Sequence, residues 1–304
     1  MDGIKKRFNV KLLNNSKNNA IDNFSIEVMP KTAAKINNFN DILPVKTNIY
    51  IAHLDNVDFN DMLSTAKRLV LENYNVTPHF PARIIKDKKT LEDWIKKYSD
   101  CGVNNCLLIA GNQKKPYGDF SSSVDLIKTG FFDKYSFKNI FVAGHPEGNK
   151  DIDFDGSNKN ILKYLLWKNE FSQNTNANVS ITTQFCFDSK TIINWIKYLE
   201  KNNIYLPLNI GIPGPAKLQT MIKFAISCGV GPSLKVLEKK AKDLTKLILP
   251  YKPIKLLNEL TDFIIENPSN NIKSVHFFPL GGITKTVEFV EDYKNKIKEK
   301  SFSK

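Results

Sequence analysis

The sequence predicts an α/β fold, a single-domain (β/α)8 TIM barrel in which eight parallel strands, each followed by a helix, close into one ring. Strand-like apolar runs alternate with stretches of helical spacing along most of the chain. Eight such runs occur, and a chain of 304 residues is long enough for a closed barrel of eight strands and their helices. We therefore expect a barrel with an extra helix before its last strand.

The elements follow one another in a regular order. The predicted strands occupy residues 22–29, 47–53, 75–80, 104–111, 139–145, 179–187, 206–212 and 274–280. The predicted helices occupy residues 60–74, 90–99, 121–129, 160–169, 190–201, 216–228, 233–248, 254–266 and 284–298. More than one helical stretch lies between the seventh and eighth strands, and this is the origin of the expected extra helix.

A doubly wound open sheet is the alternative architecture. That fold usually carries a glycine-rich phosphate turn after its first strand, whereas the turn here is MPKTAAK and contains no glycine. We expect a polar N-terminal arm over residues 1–20, the catalytic barrel over 21–298 and a C-terminal tail over 299–304.

The net charge of +13 invites a nucleic-acid partner, but of the 44 basic residues only Arg7, Arg68 and Arg83 are arginines. Bidentate phosphate and base recognition relies on arginine, and the lysines are spread over helix faces and both termini. We therefore expect no nucleic-acid partner. The positive field would instead help to gather a small anionic ligand.

No apolar run approaches the roughly 20 residues of a membrane span, and the polar start has no signal-peptide core. We expect a cytoplasmic protein without a membrane partner. The four cysteines, Cys101, Cys106, Cys186 and Cys228, form no C-x-x-C pair, so we expect reduced thiols and no metal site. The oligomeric state stays open, a homo-oligomer included.

Glu27 lies at the end of the first strand, in which Phe24, Ile26 and Val28 take the packed positions. A poorly solvated carboxylate has its charged form disfavoured. The pKa of Glu27 would then rise, and the side chain would hold a proton near neutral pH. On this stretch alone, a solvated carboxylate at a strand end is the more ordinary interpretation.

Polar residues and glycines follow most of the predicted strands. In chain order they are Glu27, His53, His79, Asn112, His145, Gln184, the turn 211–215 and the pair Gly281-Gly282. Because the carboxyl ends of all strands in such a barrel meet at one mouth, we expect these residues to surround one site. The glycines there would let a flat ligand approach the backbone. The histidines lack the spacing of a metal triad, and no G-x-S-x-G elbow of a serine hydrolase is present.

Seven segments resemble the methylenetetrahydrofolate reductase family, in that family's order, over residues 20 to 290. FSIEVMPKT is similar to its first-strand S-F-E-F-F-P-P-K-T, and VTPHFPAR to its P-H-L-T-C strand end. LLIAGN, VAGHPEGN and ITTQFCFD resemble the family's L-R-G-D, A-x-Y-P-E-x-H and I-T-Q-x-F-F-D segments. NIGIPGPAKLQTMIKFA resembles its P-G-I-x-P segment with the following helix, and VHFFPLGG its H-F-Y-T-L-N-R close.

The resemblance implies a (β/α)8 barrel that interconverts methylenetetrahydrofolate and methyltetrahydrofolate, with NAD(P)H and a bound FAD carrying the hydride. It implies that Glu27 is the general acid that helps to open the methylene bridge. It implies a small-molecule folate substrate bound by Gln184, Asn112, Phe224 and Gln219. The residues that it implies for the flavin are His53, His79, Gly111, Asn112, His145, Asn149 and Lys168.

The chain departs from the family at several positions of the implied flavin site. Ala110 replaces an Arg, Asn112 an Asp, His145 a Tyr, Asn149 a His and Gly282 an Arg. A carboxylate beside a flavin disfavours the negative charge of the reduced ring, so a neutral Asn112 should raise the reduction potential of a bound FAD. The resemblance therefore implies a bias towards oxidation of methyltetrahydrofolate.

Three further interpretations stay open at this point. The first is a flavin-independent reductase to which NADH delivers hydride directly. The second is a different barrel enzyme, such as a lyase or aldolase, which would want a Schiff-base lysine inside a strand. The third is a non-catalytic folate- or flavin-binding relative, in which Glu27 would have no role in turnover.

Overall fold

Eight parallel strands form a closed barrel in chain order, from β1 beside β2 round to β8, which pairs again with β1. The structure is a computed structural model that describes residues 20–230, 237 and 250–302. It confirms the predicted (β/α)8 barrel, and all eight predicted strands are present. The strands are β1 Ser25–Val28, β2 Asn48–Ile51, β3 Asn75–Pro81, β4 Asn105–Ile109, β5 Asn139–Gly144, β6 Asn178–Thr183, β7 Leu208–Pro213 and β8 Ile272–Phe278.

Helices occupy the connections between the strands. They are α1 Pro30–Ala33, α2 Phe59–Leu71, α3 Lys88–Asp100, α4 Ser123–Ile127, α5 Phe131–Lys134, α6 Lys159–Phe171, α7 Ser189–Lys201, α8 Leu218–Ser227, α9 Ile254–Glu266 and α10 Ile283–Phe302. Two of them, α8 and α9, lie between β7 and β8, which confirms the extra helix before the last strand. The predicted helix 233–248 lies outside the described residues, apart from position 237.

The short helices α1 and α5 have only four residues each and were not predicted. Helices of one turn are too short to show a 3.6-residue periodicity. The predicted arm, residues 1–20, lies almost wholly outside the described residues. The last helix runs to Phe302 and thus extends into the segment predicted as a tail.

Local capping explains where several helices begin. The side chains of Asp58, Asp87 and Asp188 accept hydrogen bonds from backbone N–H groups in the first turns of α2, α3 and α7. An aspartate at this position satisfies donors that the helix itself leaves unpaired. The three helices therefore begin one residue after an aspartate.

The main hydrophobic core lies between the barrel wall and the helices. On β2, Ile49 and Ile51 pack outward in this core, while Tyr50 between them contacts His276 in the lumen. The same alternation holds for Ile26 and Val28 on β1. Strand side chains alternate between two faces, so the apolar runs that predicted the strands form the outer face of the wall.

The lumen of the barrel is polar. Its buried side chains include Ser25, Thr77, Ser180, Thr182, Asn209 and Ser274. At the amino-terminal ends of the strands, Asn178 donates to Asn139 at 3.2 Å and Asn139 donates to Asn105 at 2.7 Å. Barrel interiors of this fold are usually filled with bulky aliphatic side chains, so this lumen is unusual in its chemistry.

A second hydrophobic cluster lies at the opposite end, where the strands have their carboxyl ends. Helix α8 packs there through Leu218, Met221 and Ala225 against Phe185 and Phe187, which follow β6. Phe278 and Leu280, at the end of β8, pack against the same cluster. Helix α8 therefore covers the mouth on its β6 to β8 side. No helix of the described residues is long and apolar enough to cross a membrane.

Candidate functional site

Glu27 lies in the lumen at the mouth of the barrel, one residue before the end of β1. Its side chain is 20% exposed, so it is neither a surface carboxylate nor sealed in the core. The register places Ser25 of β1 beside His276 of β8. Because side chains two residues apart share a strand face, Glu27 and His276 project into the same space.

Two histidines flank the Glu27 carboxylate. The Oε2 atom of Glu27 lies 3.4 Å from Nε2 of His79 on β3 and 3.8 Å from Nε2 of His276 on β8. His276 is oriented by Ser25, whose Oγ lies 2.8 Å from the Nδ1 atom of the imidazole. We refer to Glu27, His79 and His276 as the acid–histidine cluster.

Buried polar atoms without hydrogen bonds concentrate in this cluster. Among the described residues, Nε2 of His79 and Nε2 of His276 are buried and make no hydrogen bond. The same is true of Thr77 Oγ1, two residues before His79 on the same face of β3. Unsatisfied polar atoms are costly in a finished core and are typical of sites that bind a ligand.

The electrostatics of Glu27 differ from the expectation drawn from its strand. Burial raises the pKa of Glu27, but polar contact with His276 and the positive charge that His79 and His276 can carry outweigh it. The pKa of Glu27 therefore lies below its ordinary value, and the expectation of a raised pKa was wrong. The side chain is an ionised carboxylate at neutral pH. Burial lowers the pKa of His79 to about 4, so its imidazole is neutral at that pH.

Tyr50 lies directly below the cluster. Its ring centroid is 4.4 Å from that of His276, and its hydroxyl lies 3.2 Å from Thr182 Oγ1. Asn209 donates to the same Thr182 oxygen at 3.3 Å and accepts from Ser274 at 2.7 Å. Burial raises the pKa of Tyr50 far above its ordinary range, so the phenol stays protonated. A hydrogen-bonded floor thus supports the cluster from within the lumen.

His53 is placed differently from the cluster histidines. It follows β2, and its imidazole lies 5.3 Å from the ring of Trp94 on α3. Its Nε2 atom lies 3.0 Å from the carbonyl oxygen of Val57, whereas its buried Nδ1 has no hydrogen bond among the described residues. Burial lowers the pKa of His53. The Val57 contact and the Trp94 ring hold this side chain against α3.

Arg83 ties together the loops that follow β3, β4 and β5. Its guanidinium donates to the backbone oxygens of Gln113 and Ser121 and to the Asp151 carboxylate at 2.6 Å. In the loop after β4, the backbone N–H of Tyr117 donates a hydrogen bond to the carbonyl oxygen of Arg83 at 2.8 Å. Planar guanidinium groups suit such multiple recognition, so these loops form one connected unit.

Asn112, Gly111 and Asn149 belong to these tied loops. Asn112 is exposed, and Gly111 before it has a positive φ of 95°, a conformation that favours glycine. The side-chain oxygen of Asn149 accepts from Asp151 N at 2.9 Å and so builds the local turn. The chain therefore places Asn112 at the rim and uses the oxygen of Asn149 for its own fold.

His145 follows the end of β5, and Lys168 is in the last turn of α6. Lys168 is only 6% exposed, on the packed face of α6, and has no hydrogen-bond or ion-pair partner among the described residues. Burial lowers its pKa to about 8. Burial, and then the charge of Lys168, lower the pKa of His145 to about 4. A lysine whose side chain is largely buried is costly when charged, and an anionic ligand would offset that cost.

Helix α8 carries the next predicted residues. Phe224 is half-buried and packs against the α8 cluster, and Gln219 is exposed. Four residues after Phe224, the exposed Cys228 follows the end of the helix. Partial burial of the thiol is the main cause of the raised pKa of Cys228.

Gln184 and the glycines of the mouth serve mainly the packing of the chain. The side-chain oxygen of Gln184 accepts from Phe185 N at 2.9 Å. A Cβ atom added at Gly281 would lie 2.0 Å from the Pro215 carbonyl oxygen, and one at Gly211 would lie 2.4 Å from the Thr183 carbonyl oxygen. These two glycines let neighbouring strands and loops approach one another. The space that a side chain would need at either position is occupied by protein backbone.

The described part of the chain contains no group of three histidine, cysteine or acidic side chains arranged to hold a metal ion. All four cysteines are free thiols. The mouth carries an ionised carboxylate, neutral imidazoles and a lysine whose pKa is lowered by burial. Together the fold and the cluster define a (β/α)8 barrel with a candidate site of titratable side chains at the carboxyl ends of its strands.

Comparison with known proteins supports the barrel. No family model matches the sequence. An uncharacterized protein from Clostridium thermocellum that binds two copies of 5-methyl-5,6,7,8-tetrahydrofolic acid has a similar structure, with a TM-score of 0.53 and 12% sequence identity. The match covers 91% of this chain and 94% of that chain. At this identity the likeness concerns the fold.

The 7,8-dihydropteroate synthase from Vibrio fischeri ES114 is a more distant match. Its TM-score is 0.45 at 10% identity, again over 91% of this chain and 94% of that chain. We draw nothing from this second likeness.

Two residues of the site, His276 and Tyr50, were not predicted, because they lie inside strands and not at strand ends. The alternation of β8 is the signal that identifies His276. Its side chain lies on the same strand face as Ser274, whereas the apolar Val275 and Phe277 lie on the opposite face, in the core.

Proposed function

We propose that the protein is a folate-dependent one-carbon oxidoreductase that interconverts methylenetetrahydrofolate and methyltetrahydrofolate by hydride transfer. The observation that carries the proposal is the partly exposed Glu27 carboxylate between two buried imidazoles whose Nε2 atoms have no hydrogen bond in the described part of the chain. Support also comes from the resemblance of seven segments to the methylenetetrahydrofolate reductase family. A barrel of the same fold that binds methyltetrahydrofolate adds to it.

Glu27 is the group that exchanges a proton with the folate. In the oxidising direction a hydride leaves the methyl carbon, and an iminium remains at the adjacent ring nitrogen. The second bridging nitrogen then adds to this carbon and loses its proton, which Glu27 accepts. In the reducing direction Glu27 returns that proton as the bridge opens.

The lowered pKa of Glu27 favours the oxidising direction. A carboxylate that is ionised at neutral pH is a base before the ligand binds, whereas an acid has first to be protonated. The neutral Asn112, where the family has an acidic residue, points the same way, because it would raise the potential of a bound flavin. We therefore propose that the enzyme oxidises methyltetrahydrofolate more readily than a typical member of the family does.

FAD is the hydride carrier that we propose. Lys168 fits this cofactor, because its side chain is largely buried, burial lowers its pKa to about 8, and its charge would pair with a phosphate or with a reduced flavin. Asn112 and His145 would line the same side of the mouth. When bound, FAD would supply the two-electron acceptor for the hydride.

A flavin-free form in which a nicotinamide accepts the hydride is the alternative. It is favoured by the engagement of His53 with Val57 and of Asn149 with Asp151, since both side chains are assigned to the flavin by the resemblance. Absorbance separates the two forms, because a flavoprotein is yellow as purified.

The test is a spectrum of the purified protein followed by anaerobic addition of methyltetrahydrofolate. Bleaching of a flavin band would support both cofactor and half-reaction. If no flavin is present, reduction of added NAD by methyltetrahydrofolate would support the alternative. Failure of both, together with no binding of the folate, would refute the proposed function.

A further inference from the structure

The His276 imidazole lies between two side chains of one neighbouring strand. Ser25 and Glu27 are two residues apart on β1, so both project into the lumen. His276 is beside Ser25 in the register of β1 and β8, and its Nδ1 atom lies 2.8 Å from the Ser25 hydroxyl oxygen. Its other nitrogen, Nε2, faces Oε2 of Glu27 at 3.8 Å. The imidazole therefore connects the Ser25 hydroxyl with the Glu27 carboxylate.

Ser25 makes the hydrogen bond that fixes the orientation of this ring. His276 is fully buried, and its ring centroid lies 4.4 Å from that of Tyr50 and 4.8 Å from that of Phe278. These ring contacts fix the plane of the imidazole, but the Tyr50 hydroxyl is engaged with Thr182 and makes no bond to it. Turning the ring by half a turn would bring a carbon atom opposite Ser25 and lose the hydrogen bond. Ser25 therefore keeps Nε2 directed at the carboxylate.

The chemistry of the three groups decides which ring nitrogen carries the proton. The Glu27 carboxylate is ionised at neutral pH and can only accept hydrogen bonds. A neutral imidazole has a single N–H group, and the facing carboxylate favours having it on Nε2 of His276. Nδ1 is then an acceptor, and the Ser25 hydroxyl can donate to it. The hydroxyl thus stabilises the tautomer whose proton points at Glu27.

The other titratable groups around Glu27 do not replace this arrangement. His79 lies 3.4 Å from the same Oε2 atom, but its Nε2 atom has no hydrogen bond in the described part of the chain. Tyr50 from β2 and Cys228 after α8 have raised pKa values, so neither carries a charge at neutral pH. Of the two cluster histidines, His276 is the one that a hydroxyl orients.

We propose that Ser25 is a positioning residue for Glu27: its hydroxyl donates to Nδ1 of His276 and so directs the Nε2–H group of that imidazole at the carboxylate. The inference rests on the proposed function and adds to it a residue that acts without touching the folate. With the imidazole in place, Glu27 stays ionised and ready to accept the proton of the folate.

Nitrogen-15 NMR of the imidazoles reads the tautomer of His276 directly. The chain has four histidines, and the variant His276→Asn identifies the signals of His276. At about pH 8, where an ordinary imidazole is neutral, we expect its proton on Nε2 in the wild-type protein. In Ser25→Ala the Nδ1 signal should shift, because that atom loses its hydrogen bond. A proton on Nδ1 in the wild type would overturn the inference, whether or not the Ser25 variant folds.

Kinetics measures the consequence for Glu27. In Ser25→Ala we expect kcat/KM for methyltetrahydrofolate oxidation to fall roughly tenfold, the effect of one lost hydrogen bond. The Kd of the folate should stay within about threefold of wild type, because Ser25 lies deeper in the lumen than Glu27. The acidic limb of the kcat/KM profile should move to higher pH, since a misdirected His276 no longer opposes the effect of burial on the pKa of Glu27.

The matched control removes the same hydroxyl elsewhere in the lumen. Ser180 is 3% exposed, as Ser25 is, but it lies on β6, which neighbours neither β1 nor β8. Ser180→Ala should therefore keep the wild-type rate and pH profile. In a His276→Asn background, Ser25→Ala should have little further effect on the rate, because the imidazole through which it acts is absent.

The outcomes separate the inference from the proposed function. A wild-type rate and an unmoved acidic limb in Ser25→Ala would overturn the inference and leave the proposed function standing. A full further loss of rate on adding Ser25→Ala to His276→Asn would also overturn it, because Ser25 would then act independently of His276. If the wild-type protein neither binds nor oxidises the folate, the proposed function and the inference fall together.

Discussion

The Oε2 atom of Glu27 lies 3.4 Å from the Nε2 atom of His79, across the lumen from β1 to β3. The same oxygen lies 3.8 Å from His276, so one carboxylate faces imidazoles from two other strands. Both imidazoles lower the pKa of the Glu27 carboxyl, against the effect of its burial. The behaviour of the site with pH and mutation follows from this arrangement.

Replacing Glu27 by Gln should retain folate binding and lose most turnover. The amide keeps the size of the side chain but cannot accept or return a proton, and general acid–base groups contribute roughly 10²- to 10⁴-fold to rates. Steady-state kinetics together with calorimetric binding measures both effects. The exposed Glu170→Gln on α6 is the control and should behave as wild type. Retained turnover in Glu27→Gln would return Glu27 to a structural role and favour a non-catalytic binding protein.

Replacing His276 by Asn should move the acidic limb of the kcat/KM profile to higher pH. Asn can retain a contact with Ser25 but removes the Nε2 atom that faces Glu27. His276 is the main group opposing the effect of burial on Glu27, so the pKa of Glu27 should rise and the base should be lost at a higher pH. An acidic limb that stays at the wild-type position would show that His276 does not act through Glu27.

Acidification should destabilise the protein well above the range in which carboxylates titrate. Burial lowers the pKa values of His79 and His145 to about 4, from an ordinary value of 6.5. The unfolded chain therefore binds these protons first, and the stability is full above pH 6.5 and is lost as the pH falls towards 4. Each histidine should contribute a loss of about 2 kcal/mol between about pH 7 and about pH 5.

Urea unfolding at several pH values measures this loss. The variant His145→Asn has no imidazole to protonate, so its stability should fall less steeply with acidification than that of the wild type. Parallel pH dependences in the two proteins would contradict a neutral His145.

Replacing Arg83 by Lys should loosen the loops after β4 and β5. A single ammonium cannot reach Gln113 O, Ser121 O and the Asp151 carboxylate in the fork that the guanidinium forms. We expect faster amide hydrogen exchange in residues 113–121 and 149–153 and a loss of stability of about 1–3 kcal/mol. Asp151→Asn removes only the exposed charge and should have a smaller effect. Unchanged exchange in Arg83→Lys would show that the loops are held by other contacts.

Replacing Asn112 by Asp should lower the reduction potential of a bound flavin. A negative charge near the ring disfavours the reduced, more negative form of the cofactor. A potentiometric titration of the FAD-loaded protein compares the two variants. A potential that is unchanged or higher in Asn112→Asp would remove the argument for an oxidising bias at this position.

The barrel was predictable because its wall is built from local patterns. The alternation of apolar residues in each strand and the helical spacing between strands are visible within ten residues, and they identified every strand from β1 to β8. The strand-end positions of Glu27 and His79 followed from the same patterns, since parallel strands bring their carboxyl ends together.

The electrostatics of the site were not predictable from the same patterns. The pKa of Glu27 depends on His276, which is 249 positions away along the chain and becomes a neighbour only when β8 closes against β1. The position of α8 over the mouth depends on packing against Phe185 and Phe278, which its own spacing does not reveal. The links from Arg83 to two later loops depend on side-chain geometry for the same reason.

The polar lumen and the apolar outer face of the barrel wall have different roles. Stability resides mainly in the outward side chains, such as Ile49 and Ile51, which pack under the helices. The inward side chains, such as Thr182 and Asn209, hydrogen-bond to one another, so both partners of such a pair can be replaced together. The protein is therefore a suitable scaffold for redesign, in which a library confined to the lumen would alter ligand preference while the fold persists.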